Sequence, residues 1–273
     1  MPSDIKYIDV KKVIGQSDSN LLKRLPSVVV KLLTKLVQQD PINHIINKYS
    51  NDIGINFLPK VIEEFNLNLE IVGIENLPEN GKCFFVANHP FGIIDGLVLT
   101  RIVSRKYGSV KGIANEGFMM VPQLRPLVAA VNVFDHSPRE YIEALEEVYN
   151  ENVPISHFPS GEVSRRYKGK IQDTIWQKSF ITKAVSSKRD VVPLFFYGRN
   201  SNLFYMVYMT RRFLGIKTNI ELILLPLEML RKRNKTIKVK IGKPISYEMF
   251  DKSNTPLEWA QKVRAQVYNL GNT

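Results

Sequence analysis

From about residue 67 onward, short β-rich runs alternate with helix-patterned ones, and this limits the fold more than any other feature of the chain. The strand candidates are LNLEIVGIE, CFFVAN, VKGIAN, AVNVF, PISHF, VVPLFFY, NIELILLPL and TIKVKIG. Most are separated by GLVLTRIVSRKY, REYIEALEEVYN or DTIWQKSFITKAVSS, where apolar residues recur at helical spacing. A last helix, TPLEWAQKVRAQVYNL, closes the domain. The alternation predicts an α/β fold with a mainly parallel central sheet flanked by helices. In such sheets ligands bind beyond the carboxyl ends of the strands, so motifs that directly follow a strand carry most weight.

Residues 1 to about 66 read as mainly helical. PSVVVKLLTKLVQQ has Val28, Leu32, Leu33 and Leu36 at helical spacing, interrupted by Lys31 and Lys35, and Pro26 suits the first turn. FLPKVIEEFN is a second helical pattern. These helices can pack on the core or lie on a bilayer with their lysines toward the headgroups. The chain therefore divides into an N-terminal helical segment, 1–66, and an α/β domain, 67–273. With 273 residues and 44% hydrophobic content, it can bury the core of one large domain.

Lys and Arg number 38 against 26 acidic residues, a formal net charge of +12. Eleven Lys or Arg stand against Glu221 and Glu228 between Arg199 and Lys243, and a second basic stretch runs from Arg165 to Arg189. Such surfaces suit phosphates, acidic lipid headgroups or nucleic acid. The single cysteine, Cys83, excludes an internal disulfide and lies in an apolar run, so it reads as a core residue. The first residues lack a signal-peptide pattern, and no stretch approaches the ~18 apolar residues of a membrane span. The expectation is a soluble or surface-bound protein.

The strand CFFVAN runs directly into HPFGIIDGLVLT, which places His89 at a strand's carboxyl end. Pro90 biases His89 toward an extended conformation and can open the helix that follows, with Asp95 in its second turn. A continuous helix would put His89 and Asp95 on different faces, so they meet only if His89 hangs before the helix and folds back. Pro90 and Gly92 permit that turn. A histidine whose Nδ1 proton is held by a carboxylate presents Nε2 as an oriented base, which a hydroxyl nucleophile needs. The plainer alternative is local capping of the backbone by both side chains.

A second strand end, PISHF, runs into PSGEVSRRYKGK. Pro159-Ser160-Gly161 forms a tight turn whose N–H groups can hold an anion. Glu162 supplies a carboxylate, with Arg165, Arg166, Lys168 and Lys170 close in sequence. Together they suit a polar or phosphorylated headgroup, or form an ordinary charged loop. Ser160 lacks the first glycine of a nucleophile elbow. His44, His136 and His157 show no metal-ligand spacing, and no phosphate-binding glycine motif is present, so neither a metal nor a nucleotide cofactor is expected.

In this order and spacing, the two segments resemble the glycerolipid acyltransferase superfamily, which includes the lysophosphatidate acyltransferases. That family carries N-H-x4-D, F-P-E-G-T-R-S and V-P-V blocks. The matches here are Asn88-His89 with Asp95, Phe158-Pro159-Ser160-Gly161-Glu162-Val163-Ser164, and Val192-Pro193-Leu194, and the likeness spans roughly residues 70–245. Five residues separate His89 from Asp95 rather than four, the acid follows the glycine as Gly161-Glu162, and NVFDHSP places His136 near the family's phosphate-reading arginine. This altered set is similar to a bacterial branch named for haemolysins, which includes O-acyltransferases of lyso-ornithine and other aminoacyl lipids.

The resemblance implies transfer of a fatty acyl group from acyl-carrier protein or acyl-CoA to the hydroxyl of a lysolipid, at the cytoplasmic face of a membrane, by a peripheral protein without cofactor, metal or nucleic acid. It implies His89 as general base and Asp95 as its orienting partner, with no covalent acyl-enzyme. Asn88, Gly92, Ser160, Gly161, Glu162 and Arg165 would contact substrate: Glu162 and its turn the acceptor's polar group, Arg165 a phosphate or carboxylate. Backbone N–H groups near Gly92 or Gly161 are the alternatives for the thioester oxyanion. Two rivals stand beside this reading. The same His-Asp pair serves a thioesterase or lipid hydrolase, and the basic surface serves a non-catalytic binder of anionic lipid.

Overall fold

The computed structural model describes residues 5–17, 23–131, 139–167 and 169–272. Its centre is a sheet in the order β1(Asn68–Val72), β9(Thr236–Ile241), β8(Asp190–Phe196), β2(Cys83–Ala87), β5(Ile155–His157), β3(Lys111–Asn115), β4(Val128–Val131). Neighbours pair in parallel throughout except β8 and β9. Five strands therefore share one direction, and β9 and β1 run against them. The mainly parallel sheet flanked by helices is as the alternation predicts.

The middle strands read as continuous apolar runs because both faces are covered. Cys83, Phe85 and Ala87 of β2 join one core cluster, and Phe84 and Val86 the other. The first face is covered by α5(Ile93–Tyr107), through Ile94, Val98 and Ile102, and by the N-terminal helices. Ile42, Ile45 and Ile46 of α3(Gln39–Lys48) and Phe57, Leu58 and Val61 of α4(Phe57–Glu64) share that cluster, so residues before 66 and the sheet bury one another. Two earlier helices, α1(Val10–Gln16) and α2(Ser27–Leu36), bury no residue fully. The second face carries α6(Arg139–Asn150), α7(Ser179–Ser187) and α10(Pro256–Leu270) through Tyr149, Phe180, Ala184, Ala260 and Val263. Burying each large apolar side chain here contributes roughly 1.5–3 kcal/mol.

A smaller unit caps the carboxyl edge. It comprises the hairpin β6(Arg165–Tyr167)–β7(Lys170–Gln172), α8(Asn202–Phe213), a 3-10 turn over Ile220–Leu224 and α9(Leu225–Leu230). Val163, Phe204, Tyr205 and Leu224 form its own cluster, against which Leu36 of α2 packs.

Three expectations are corrected. NIELILLPL is the 3-10 turn and the start of α9, not a strand: Pro226 lacks the N–H a ladder needs, and Glu221 is buried between two arginines. DTIWQKSFITKAVSS becomes helical only at Ser179, because Asp173 and Trp176 are tied into a buried polar network. Pro90 does not open α5, which begins three residues later behind Gly92, so Asp95 lies in its first turn. The later part of AVNVF, His136 and Lys168 lie outside the described residues.

Candidate active site

Strand β2 ends in a lock. The Asn88 side chain donates to the Phe196 carbonyl at 3.0 Å and accepts from the Phe196 N–H at 2.7 Å, joining the ends of β2 and β8. Expected at substrate, the Asn88 amide is instead fully engaged by backbone. The next peptide is held on both sides. The His89 N–H donates to Asp173 at 3.2 Å, and its carbonyl accepts from the Ser164 N–H at 2.8 Å.

The chain then turns through Gly92, whose φ of +91° is in the glycine region. A Cβ there would come within 2.9 Å of Leu225 and 3.1 Å of Val163, so this glycine also lets the cap close down on the turn. The turn brings His89 back over the start of α5. Its Nδ1 lies 3.1 Å from Asp95 Oδ2, with the histidine side chain 16% exposed and the aspartate fully buried. The approach is within ion-pair range but not aligned as a hydrogen bond. Catalytic contacts commonly straighten only when substrate binds. The ring stacks on Phe158 with centroids 4.0 Å apart. Among the described residues Nε2 has no partner.

Asp95 does both things the sequence left open. Its Oδ2 accepts from the Phe91 and Gly92 N–H groups at 2.9 and 3.2 Å, and Oδ1 from the Gly96 N–H at 3.0 Å. These bonds cap the helix and fix the carboxylate that faces the imidazole.

The second segment turns its polar groups inward. The Ser160 hydroxyl donates to the Glu162 carbonyl at 2.7 Å, and the Gly161 N–H to the Phe158 carbonyl at 3.0 Å. With the Gly92 N–H held by Asp95, both amides weighed for the oxyanion are already bonded within the chain. Glu162 remains half-buried, its carboxylate accepting from Tyr167 at 3.1 Å. Arg165, expected at a substrate anion, is corrected. It is fully buried, with Nε donating to Glu221 at 3.1 Å, and it lies over the Phe204 and Tyr208 rings. Arg211 pairs with the same carboxylate at 2.8 Å.

Two residues near His89 were not among the expected site residues. Asp173 is a buried hub: besides the His89 amide it accepts from the Ser164 hydroxyl at 2.5 Å and the Trp176 indole at 2.9 Å, and its own N–H donates to Tyr268. Burial pushes its carboxyl above the usual range, and these donors pull it back. His157, at the end of β5, has a buried Nδ1 without a hydrogen-bond partner among the described residues. Burial, then the nearby His89, lowers its pKa to about 4. No pattern in the sequence marks either. Cys83 is buried as expected, its thiol pushed up to about 12 by burial.

A family described as acyltransferase matches residues 12–273. A lyso-glycine lipid O-acyltransferase of Phocaeicola vulgatus is 41% identical over 267 residues, covering 97% of this chain and 96% of that protein. The protein of the same description from Bacteroides thetaiotaomicron is 40% identical over 264 residues, covering 96% and 97%. Among solved structures, the 1-acyl-sn-glycerophosphate (LPA) acyltransferase PlsC of Thermotoga maritima aligns with a TM-score of 0.52 at 18% identity, over 89% of this chain and 96% of that one. That likeness concerns the fold.

Proposed function

We propose that this chain, which belongs to the acyltransferase family, moves a fatty acyl group from a thioester to the hydroxyl of a lysolipid with an amino-acid headgroup. The observation that carries the reading is the imidazole of His89, set against buried Asp95 with Nε2 unpartnered at the carboxyl edge of the sheet. Nε2 takes the proton of the acceptor hydroxyl as its oxygen attacks the thioester carbonyl. The tetrahedral intermediate collapses, the C–S bond breaks, and the thiolate leaves with the proton from the imidazolium. Asp95 stabilises that imidazolium, and its three backbone bonds keep it from rotating away. An ester and a free thiol result, with no acyl-enzyme.

The other residues position the site. Asn88 and Gly92 hold the histidine turn, Ser160 and Gly161 hold the facing turn, and Glu162 meets the acceptor's headgroup. Arg165 supports Glu221 rather than an anion of the substrate. The donor is the thioester of acyl-carrier protein or CoA. The exposed Arg199, Arg231, Arg233 and Lys235, at the same edge of the sheet, favour the acidic surface of the one or the phosphates of the other.

The test is incubation with acyl-CoA or acyl-carrier protein and a panel of lysolipids, with products read by mass. Acylated aminolipid from the parent, and its loss in His89→Ala, are expected. Free fatty acid as the sole product in the presence of acceptor would replace the transferase with a hydrolase.

A further inference from the structure

The three residues after α9 fan apart. Arg231 pairs with Glu228 at 2.8 Å and Arg233 with Glu64 at 3.5 Å, and both arginines are exposed. Lys232, between them, turns toward the catalytic segment. Its ammonium lies 4.4 Å from the centroid of the buried Phe91 ring and donates to the Arg199 carbonyl at 2.8 Å. Phe91 is the residue whose N–H is held by Asp95, and its carbonyl accepts from the Asn200 amide at 3.3 Å. Gly198 approaches the same ring so closely that a Cβ there would stand 2.5 Å from Phe91 Cζ. The lysine is thus held against the turn that presents His89.

Lys232 lacks what its neighbours have. Among the described residues no carboxylate lies within 4.0 Å of its ammonium. Glu228 is engaged by Ser201 and Arg231, and Asp95 by three backbone N–H groups and the imidazole. Burial lowers the Lys232 pKa, and the charges of Glu228 and Asp95 offset this only in part. A half-buried cation without a counter-ion is costly, and an anion bound beside it recovers that cost. Arg165, the cation expected at a substrate anion, is already held by Glu221. Glu162 only accepts, so it serves a headgroup N–H and repels a carboxylate. An amino-acid headgroup joined to its fatty chain through nitrogen keeps an ionised carboxylate, and Lys232 is the cation placed to meet it.

We propose that Lys232 is a specificity-determining residue, whose ammonium binds the free carboxylate of the acceptor's amino-acid headgroup. The proposal rests on the lysolipid reading above and deepens it. His89 stands two positions from Phe91, at most about 7 Å of chain. One acceptor therefore reaches both, with its hydroxyl at Nε2 of His89 and its carboxylate at Nζ of Lys232. The Arg199 carbonyl takes one ammonium proton, and two remain for the carboxylate. Phe91, fixed at both its N–H and its carbonyl, keeps the two groups at a set separation.

The experiment compares an N-(hydroxyacyl)glycine bearing a free carboxylate with its uncharged methyl ester, both dispersed in detergent. The parent is expected to favour the acid over the ester by at least about tenfold in KM, as a charge-assisted hydrogen bond requires. Lys232→Met keeps the apolar stem over Phe91 and removes the charge. It should raise the KM of the acid at least about tenfold, so that acid and ester share one KM. Lys232→Arg should restore part of the preference for the acid. The methionine variant should melt no lower than the parent, because a half-buried charge has been removed. Should it fail to fold, Lys232→Gln takes its place with the same readout. An equal rise in KM for acid and ester would reduce Lys232 to packing on Phe91. A rise in the donor's KM alone would assign the ammonium to a phosphate of the donor. Either result overturns the proposal. If the parent acylates neither compound, the transferase reading fails by itself. Binding of the acid to His89→Ala, with and without Lys232→Met and measured by calorimetry, then still decides whether Lys232 holds the carboxylate.

Discussion

The two strand-end segments, 88–95 and 158–165, are equally conspicuous in the sequence and opposite in use. Both follow a buried strand, both contain a proline and a glycine, and both carry groups suited to catalysis. In the first, the N–H groups of His89, Phe91 and Gly92 are all bonded to buried carboxylates, which holds the imidazole over Asp95. In the second, the serine, the glycine amide and the arginine are all engaged within the protein. The lesson is that a motif's polar residues divide between presenting chemistry and holding the geometry that presents it. Sequence spacing shows the motif but not the division.

The largest effect expected is on the second segment's support. Glu221→Ala leaves Arg165 and Arg211 buried and unpaired, which should cost about 3–5 kcal/mol in denaturant unfolding. Replacing the trio together, Arg165→Met, Arg211→Met and Glu221→Leu, should restore most of that stability and leave the acceptor KM unchanged. A large rise in KM in the triple variant would mean that Arg165 does serve the substrate, and the contrast between the segments would collapse.

Next in size is His89→Ala, with a loss of at least ~100-fold in kcat, about 2.7 kcal/mol of barrier, and little change in melting temperature. Asp173→Asn sharpens the point. It keeps the shape of the hub but loses part of its hydrogen bonding to the His89 amide and Ser164, so stability should fall by about 1–3 kcal/mol. Its kcat should fall with KM held. An unchanged kcat would show that the His89 peptide needs no such clamp. Smaller again is Ser160→Ala, about 1 kcal/mol of stability with activity within about twofold of the parent. A marked KM increase would move Ser160 from the turn to the substrate.

The contrast also explains what could be read beforehand. The sheet was legible because β2 and β8 are buried on both faces and so appear as unbroken apolar runs bounded by helical patterns. NIELILLPL has the same apolar content, but its one acid, Glu221, is meaningful only once Arg165 and Arg211 arrive from 56 and 10 residues away. His89 and Asp95 were legible because their partnership is local, six positions apart across a proline and a glycine. Asp173 was not: it stands 84 residues from His89 and looks like any acid before a helix. The antiparallel turn of β9 likewise leaves no mark on its own residues.

At neutral pH the smallest effect belongs to His157, and it grows only with acid. Its folded pKa lies near 4, against an unperturbed 6.5, because burial, and then the nearby His89, disfavour its charge. Between those values the unfolded chain binds a proton that the fold refuses. Unfolding is thus favoured as pH falls through that window, and His157 contributes nothing to pH dependence above it. His157→Gln removes the titration, so the stability curve of the variant should be flatter than the parent's from about pH 6.5 to 4, with the two parallel above. His89 sits beside it on the neighbouring strand end, so the variant also tests whether the two imidazoles communicate. If the acid limb of kcat/KM moves in His157→Gln, the catalytic segment draws on a residue of the second strand end as well, and the division between presenting and holding is less sharp than the hydrogen bonds imply. If the limb stays, His157 belongs to the wall.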